Sequence, residues 1–286
     1  MKGLILAGGL GTRLAPMTKA LNKHLIPIYD KPMIYYPLST LLMSGISEIL
    51  IVTTEEAIGQ FKKLLSHFEG TKIGITFAIQ DSPLGLPDAF NFTPAAWEGE
   101  SIALILGDNL FYGMGLGTSL RTKFAGRGCQ IFAHRVKNPQ EYGVVNFDEN
   151  FLPVDLEEKP ENPQSDFAIP GFYYFDQTVT KRVANLKPSD RGELEITDLL
   201  KSYLKDDSLR VERLERGVVW LDTGTPEGVL KASEFVQVVE QRQGFKIGSP
   251  EEAAYNSGFI DIETLLLLAQ SMPMGEYRRY LENIVG

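Results

Sequence analysis

Gly3-Leu4-Ile5-Leu6-Ala7 runs apolar without alternation and then breaks at once into Gly8-Gly9-Leu10-Gly11-Thr12-Arg13. A strand with no polar side has no face to offer to water, so it belongs in a parallel sheet covered by helices on both faces. The three glycines within positions 8–11 lack a Cβ. The backbone there can approach a ligand closely and aim its N–H groups at an anion such as a triphosphate. Arg13 and Lys23 add cations within reach, Arg as a planar fork for phosphate oxygens and Lys as a mobile point charge. Two commoner phosphate motifs are ruled out. A Walker loop needs Gly-Lys-Ser/Thr, which occurs nowhere in the chain, and the dinucleotide fingerprint fails because Leu14 stands where its third glycine should be. A glycine cluster by itself is an ordinary tight turn. Strand, glycines, Arg13, Lys23, Pro27 and Lys31-Pro32 in this order point instead to a ligand.

Strand-like and helix-like stretches alternate through the first half, which predicts a parallel sheet with right-handed crossovers. Helices are expected over 33–44, 55–68 and 85–97, and strands over 48–53, 73–79 and 101–106. In the second of these helices Ile58, Phe61, Leu64 and Leu65 recur at helical spacing. The second half changes character. Strands over 130–135, 142–148, 154–157 and 167–175, separated by turn residues, predict antiparallel pieces that form a lid or wall added to the sheet. Helices return over 177–186 and 193–204, while 209–214 and 217–221 read as one hairpin or two edge strands. From Pro226 onward the chain is nearly all helical. The expected fold is α/β: a Rossmann-like mixed, mostly parallel sheet flanked by helices, with a smaller antiparallel part and a helical C-terminal appendage over 226–286 behind a main unit over 1–225.

The totals narrow the function. A net charge of -9 argues against a general nucleic-acid binder, since phosphate backbones are held by basic surfaces. The single cysteine, Cys129, excludes an intrachain disulfide, fits a reducing compartment and is expected to fill core. The chain enters a strand at once, so no signal peptide is expected, and apolar runs such as 265–269 are too short to cross a bilayer. A cytoplasmic protein without membrane contact is the expectation. His24, His67 and His134 are scattered and lack the spacing of a zinc site. No G-x-S-x-G occurs, and Gly113 to Gly117 has no partner acid or cation at useful spacing, so it reads as a loop opening the next helix.

Two aspartates stand out. Asp108 ends the apolar run 102–107, and Asp222 ends 218–221. A carboxylate at the carboxyl end of a buried strand faces the usual ligand crevice of an open α/β sheet. Either alone would read as a turn cap. Two meeting there would hold a hard cation such as Mg2+, which takes few carboxylates and keeps phosphate and water ligands. Gln80, after the run 75–79, can donate and accept with one amide, as the imide edge of a pyrimidine requires. Its plainer reading is a surface polar residue.

The pattern L-A-G-G-x-G-T-R-L-x-P-x-T over 6–18, followed by N-K-H-L-I-P-I-Y-D-K-P-M-I-Y-Y-P over 22–37, resembles the signature of sugar-phosphate nucleotidyltransferases. L-G-D-N-L-F-Y-G around Asp108 and W-L-D-T-G-T around Asp222 are similar to the metal-site motifs of that family. The resemblance implies that Leu6, Gly8, Gly9, Gly11 and Thr12 line the nucleotide, with Gln80 and the backbone of Gly85 at the base. It implies Mg2+ on Asp108 and Asp222, and Arg13, Lys23 and Lys159 as the catalytic cations. Tyr142, Gly143, Glu158, Lys159, Gly171, Tyr173 and Arg191 would form the sugar-phosphate half, about 129–225, opposite a nucleotide half of about 1–128.

The activity implied is transfer of a thymidylyl group from dTTP to glucose 1-phosphate, by in-line attack of the sugar phosphate on the α-phosphorus. Uridylyl transfer to a hexose 1-phosphate and a catalytically silent nucleotide-sugar-binding regulator are the alternatives. A homo-oligomer, typically a tetramer with feedback control at a subunit interface, is also implied. The chain departs from the common family pattern in three places, one of them Pro170, which replaces the Thr usual beside Gly171 and removes a hydroxyl that could meet the sugar. His24 stands in Asn22-Lys23-His24-Leu25 where relatives commonly read S-K-Q-L, and Leu84 and Asp88 stand where they commonly read P-D-G-L-A-Q-A-F.

Overall fold

A computed structural model describes every residue except 81, 83, 191, 285 and 286. β1 (Lys2–Ala7) takes an interior place in the main sheet. The chain then forms a small hairpin, β2 (Pro27–Ile28) and β3 (Lys31–Pro32), before α1 (Tyr35–Met43), β4 (Glu48–Thr53), α2 (Glu55–Leu65) and β5 (Gly74–Ile79). β6 (Ile102–Leu106) follows, and β1 lies parallel between it and β4, with Leu4 opposite both Leu50 and Leu104. The unalternating pattern of β1 now has its cause. Ile5 and Ala7 face one core with Leu38, Leu41 and Phe61, while Leu4 faces a second core with Leu50, Leu104 and Phe90 on the other side of the sheet. Burying each such Leu or Ile side chain is worth about 1.5–3 kcal/mol. α2 carries Glu55 and Glu56 in its first turn and Lys62 and Lys63 in its last, charges that oppose the helix dipole at both ends.

β7 (Asn109–Tyr112) and α3 (Leu116–Lys123) lead into β8 (Cys129–Arg135), β9 (Gly143–Phe147), β10 (Pro153–Glu158), β11 (Phe167–Ala168) and β12 (Phe172–Phe175). β12 runs antiparallel to both β6 and β8, and so joins the parallel half of the sheet to the antiparallel half. The strand expected over 167–175 is thus two strands. Pro170 lies between them and has no N–H to give to a ladder. The helix expected over 85–97 is corrected as well. It is two stretches of tight 3-10 turn, over 86–92 and 95–97, with Gly85 at φ 101 before them and Pro94 between.

After α4 (Val179–Val183) and α5 (Ile196–Lys205) come β13 (Leu209–Arg213), parallel to β8, and β14 (Val219–Asp222), antiparallel to β7. Of the two readings of this region, separate strands and not a hairpin form. The C-terminal helices are α6 (Pro226–Gln243), α7 (Pro250–Asn256), α8 (Ile262–Ser271) and α9 (Glu276–Asn283). Thr225 caps α6 by accepting from Gly228 N at 3.1 Å, and Gly244 ends it at φ 75. Ala253, Ala254, Leu265 and Leu281 from the last three helices join the same core as Ile5, and Ala232 and Val236 of α6 pack in a third core with Leu14, Ile28 and Leu110. Cys129 is free and buried, as a core filler should be. Among the described residues no helix is long and apolar enough to cross a membrane.

Candidate active site

The carboxyl ends of β1, β6 and β14 open on one cleft of about 310 Å3. Arg13, Lys23, Asp108 and Asp222 all line it. Asp108 follows β6, and Asp222 closes β14 directly opposite Asn109 in the β14–β7 register. Thr223 N and Oγ1 both donate to the Asp108 carbonyl, at 3.0 and 2.7 Å, which ties the two carboxylate-bearing turns together. Lys23 Nζ donates to Asp108 Oδ2 at 2.5 Å, and Asn109 Nδ2 to Asp108 Oδ1 at 3.0 Å. Arg13 and Asp222 meet over Gly224, where an added Cβ would lie 2.9 Å from the Arg13 guanidinium and 3.0 Å from Asp222 Oδ1.

The two acids differ electrostatically. Burial would raise the Asp108 carboxyl, but Lys23 more than offsets it and holds the group well below the usual carboxylate range. Asp222 is pushed upward, first by burial and then by the charge of Asp108, against the Gly224 N–H, Arg13 and Lys23. A buried and a half-buried acid whose like charges repel suit a dication between them. Among the described residues no group of three or more His, Cys, Asp or Glu side chains forms a fuller metal cage. The pair therefore fits a hard metal that keeps phosphate and water ligands.

The glycine turn sits beside this pair. A Cβ at Gly9 would be 3.3 Å from Lys23 Cε, and one at Gly11, at φ 62, would be 2.7 Å from Thr18 Cγ2, so the turn is packed as well as bent. His24 is buried, with its Nδ1 2.9 Å from Asn22 Oδ1, whose own Nδ2 donates to the Ala7 carbonyl at 3.1 Å. Burial, with Lys23 next, drops its pKa to about 3, so the ring stays neutral at ordinary pH.

Across the cleft, Tyr142, Gly143, Glu158, Lys159, Gly171 and Tyr173 line the opposite wall, while Leu6 of β1 lines the strand side. Gly143 pairs with Glu158 in the β9–β10 register, and a Cβ on it would approach Glu158 Oε2 to 3.5 Å. Lys159 is held at φ 44, a left-handed conformation that costs a non-glycine residue of order 1–3 kcal/mol. Such strain collects at functional sites. Two wall residues were missed or undervalued from sequence. Asn109 Oδ1 accepts from Gly171 N at 3.0 Å and from Trp220 Nε1 at 2.6 Å, while its nitrogen holds Asp108. Trp220 packs against the Tyr142 ring, with the centroids 5.0 Å apart, and lines the cleft.

Gly8, Gly11, Thr12, Gln80 and Gly85 are not among the residues lining this cleft. Gln80 is buried and not a surface polar group: its Nε2 donates to Asp88 Oδ2 at 2.7 Å, and a Cβ at Gly8 would lie 3.1 Å from its Oε1. Gly85 packs on the 194 segment so closely that a Cβ would fall 2.1 Å from the Leu194 carbonyl oxygen. Arg191 lies outside the described residues.

A family model described as Nucleotidyl transferase matches residues 2–238. The chain belongs to the nucleotidyl transferase family. Within it, the chain is 48% identical over 281 residues to a glucose-1-phosphate thymidylyltransferase of Mycolicibacterium smegmatis, covering 98% of each sequence. It is 47% identical over 282 residues to the enzyme of that name from Neisseria meningitidis, again covering 98% of each. A crystal structure from Bacillus anthracis, described as a glucose-1-phosphate thymidylyltransferase in complex with a sucrose, superposes with a TM-score of 0.74 at 34% identity. It covers 82% of this chain and 94% of that one. The nucleotidyl transferase match includes β14, so Asp108 and Asp222 both lie in the family region.

Proposed function

We propose that this nucleotidyl transferase moves a thymidylyl group from dTTP to glucose 1-phosphate, giving dTDP-glucose and pyrophosphate. The observation that carries the reading is the meeting of Arg13, Lys23, Asp108 and Asp222 in one cleft beside the glycine turn. Nucleotidyl transfer asks a protein mainly for positioning and for charge opposite the developing negative oxygens. Asp108 and Asp222 would hold a divalent metal, with Mg2+ the ion this reading favours, and the bound metal would polarise phosphoryl oxygens. Arg13 and Lys23 neutralise the triphosphate, and Lys159 orients the incoming phosphate oxygen for in-line attack. A general base is unnecessary because a phosphate monoester, with a second pKa of about 6, is already ionised near neutrality. In this reading the base reaches past the cleft lining at Gly9 and Leu86 to Gln80 and the Gly85 backbone. Tyr142, Gly143, Glu158, Gly171 and Tyr173 receive the sugar, and Arg191 its phosphate.

The reading also takes 1–225 as the catalytic unit with 226–286 as its helical appendage, in a cytoplasmic homotetramer. A panel of nucleoside triphosphates against sugar 1-phosphates with Mg2+, read by pyrophosphate release, tests it. dTTP with glucose 1-phosphate should give the highest kcat/KM, and a preference for UTP would make the enzyme a uridylyltransferase. Arg13→Ala or Lys23→Ala should lower kcat by about 100- to 1,000-fold while the protein stays folded. Near-normal turnover in either variant would remove that residue from the mechanism.

A further inference from the structure

We infer that Asp88 sets the base selectivity of the site, by fixing which end of the Gln80 side-chain amide faces the nucleotide. The inference rests on one part of the proposed function, that the base lies against Gln80 beside the glycine turn. Gln80 directly follows β5, and Asp88 lies in the 3-10 turn over 86–92. Each is only 7% exposed. Gln80 Nε2 donates to Asp88 Oδ2 at 2.7 Å, and Asn91 Nδ2 donates to Asp88 Oδ1 at 2.9 Å.

A carboxylate only accepts, so each of the two amides must turn its nitrogen toward Asp88. Gln80 Oε1 is thereby directed away from Asp88. It lies against the glycine turn, 3.1 Å from where a Gly8 Cβ would stand. Taken alone, an amide carries both hydrogen-bond polarities and discriminates little. Asp88 gives it one direction. An acceptor at that place matches the N3–H of thymine or uracil and opposes the N3 lone pair of cytosine. Asp88 touches no substrate in this account; it is a positioning residue.

Asn91 makes the test sharp. In Asp88→Asn, Asn91 Nδ2 still claims the oxygen of the new amide. The nitrogen of that amide then faces Gln80, turns the Gln80 amide over and brings Nε2 toward the base. The double variant Asp88→Asn/Asn91→Asp reverses the chain of polarities a second time, so that Gln80 Oε1 faces the base again. The measurement is kcat/KM for dTTP and for dCTP with glucose 1-phosphate, by pyrophosphate release. The dTTP:dCTP ratio is expected to fall at least about tenfold in the single variant, the scale set by leaving a buried polar group mismatched, and to recover in the double.

Loss of stability lowers both rates together, so the ratio isolates the polarity. An unchanged ratio in Asp88→Asn, or a fall that the double variant does not reverse, overturns the inference. Should Asp88→Asn not fold, Asp88→Ser serves, because a hydroxyl can donate or accept and frees the amide. There, too, an unchanged ratio overturns it. If the unaltered protein releases no pyrophosphate with any pair of substrates, the functional reading fails by itself. Calorimetric affinities for dTTP and dCTP in the same variants would still decide the role of Asp88.

Discussion

Asn109 ties three residues of the cleft together, though the sequence did not single it out. Its side-chain oxygen receives the Gly171 N–H and the Trp220 indole, and its nitrogen holds Asp108, so one amide links Gly171 and Trp220 to the Asp108 carboxylate. Gly171 has no Cβ because there is no room for one. The atom would sit 2.5 Å from Leu106 Cδ1 and 2.9 Å from Asn109 Oδ1. Gly171→Ala should therefore act twice. Overpacking should cost about 1–3 kcal/mol of stability, and the displaced Asn109 should let Asp108 drift. A melting temperature lower by a few degrees together with a larger loss in kcat than in stability is expected. A stable variant of full activity would show that the contact yields freely. Only the polar neighbour of Asp108 in L-G-D-N hinted at this role. The hydrogen bonds of Asn109 run to residues 62 and 111 positions away, beyond any local pattern.

The β2–β3 hairpin is too short to stand by itself, and charge fastens it. Lys31, 2% exposed, meets Glu240 of α6 at 2.7 Å and also Asp30, while Lys246 meets Asp30 at 2.5 Å and Glu240 at 2.8 Å. Two cations and two anions balance, which a buried cluster requires. Burial would raise the Asp30 carboxyl, but Lys31 and Lys246 hold it below its ordinary value. A depressed carboxylate contributes stability that is present above its unfolded pKa and lost as pH falls through its lower folded pKa. Stability should thus decline below about pH 4 as Asp30 protonates, and Asp30→Asn should flatten that acid limb while lowering stability at neutral pH. Denaturant midpoints across pH check it; identical acid limbs would exclude Asp30 as a contributor.

Other elements show what a sequence can and cannot carry. β1, β4 and β6 were legible because strands buried on both faces have no alternative to continuous apolar side chains. β7 and its pairing with β14 were not. A short mixed segment after a turn has no periodic signal, and its partner lies more than a hundred residues on. The helix expected over 85–97 failed because its apolar spacing cannot report that prolines at both ends favour a tighter turn.

Over the whole molecule the buried apolar side chains gather in three cores beside the main sheet. Two lie on its faces. The third, smaller one brings Leu14 together with Ile28, Leu110, Ala232 and Val236. Leu14 is the residue next to Arg13 and is fully buried. Its partners on α6 come from the stretch that reads, along the chain, as a trailing addition. In space that stretch is the foundation under the turn that carries Arg13. A chain cut after Thr225 would keep every side chain assigned to the chemistry. It would still be expected to lose activity and to expose apolar surface, measurable as dye binding and as a missing thermal transition. A truncated form that turned over normally would free the turn from this foundation. That helix puts no side chain into the cleft lining, yet its small alanine and valine pack in one core with the leucine that adjoins Arg13.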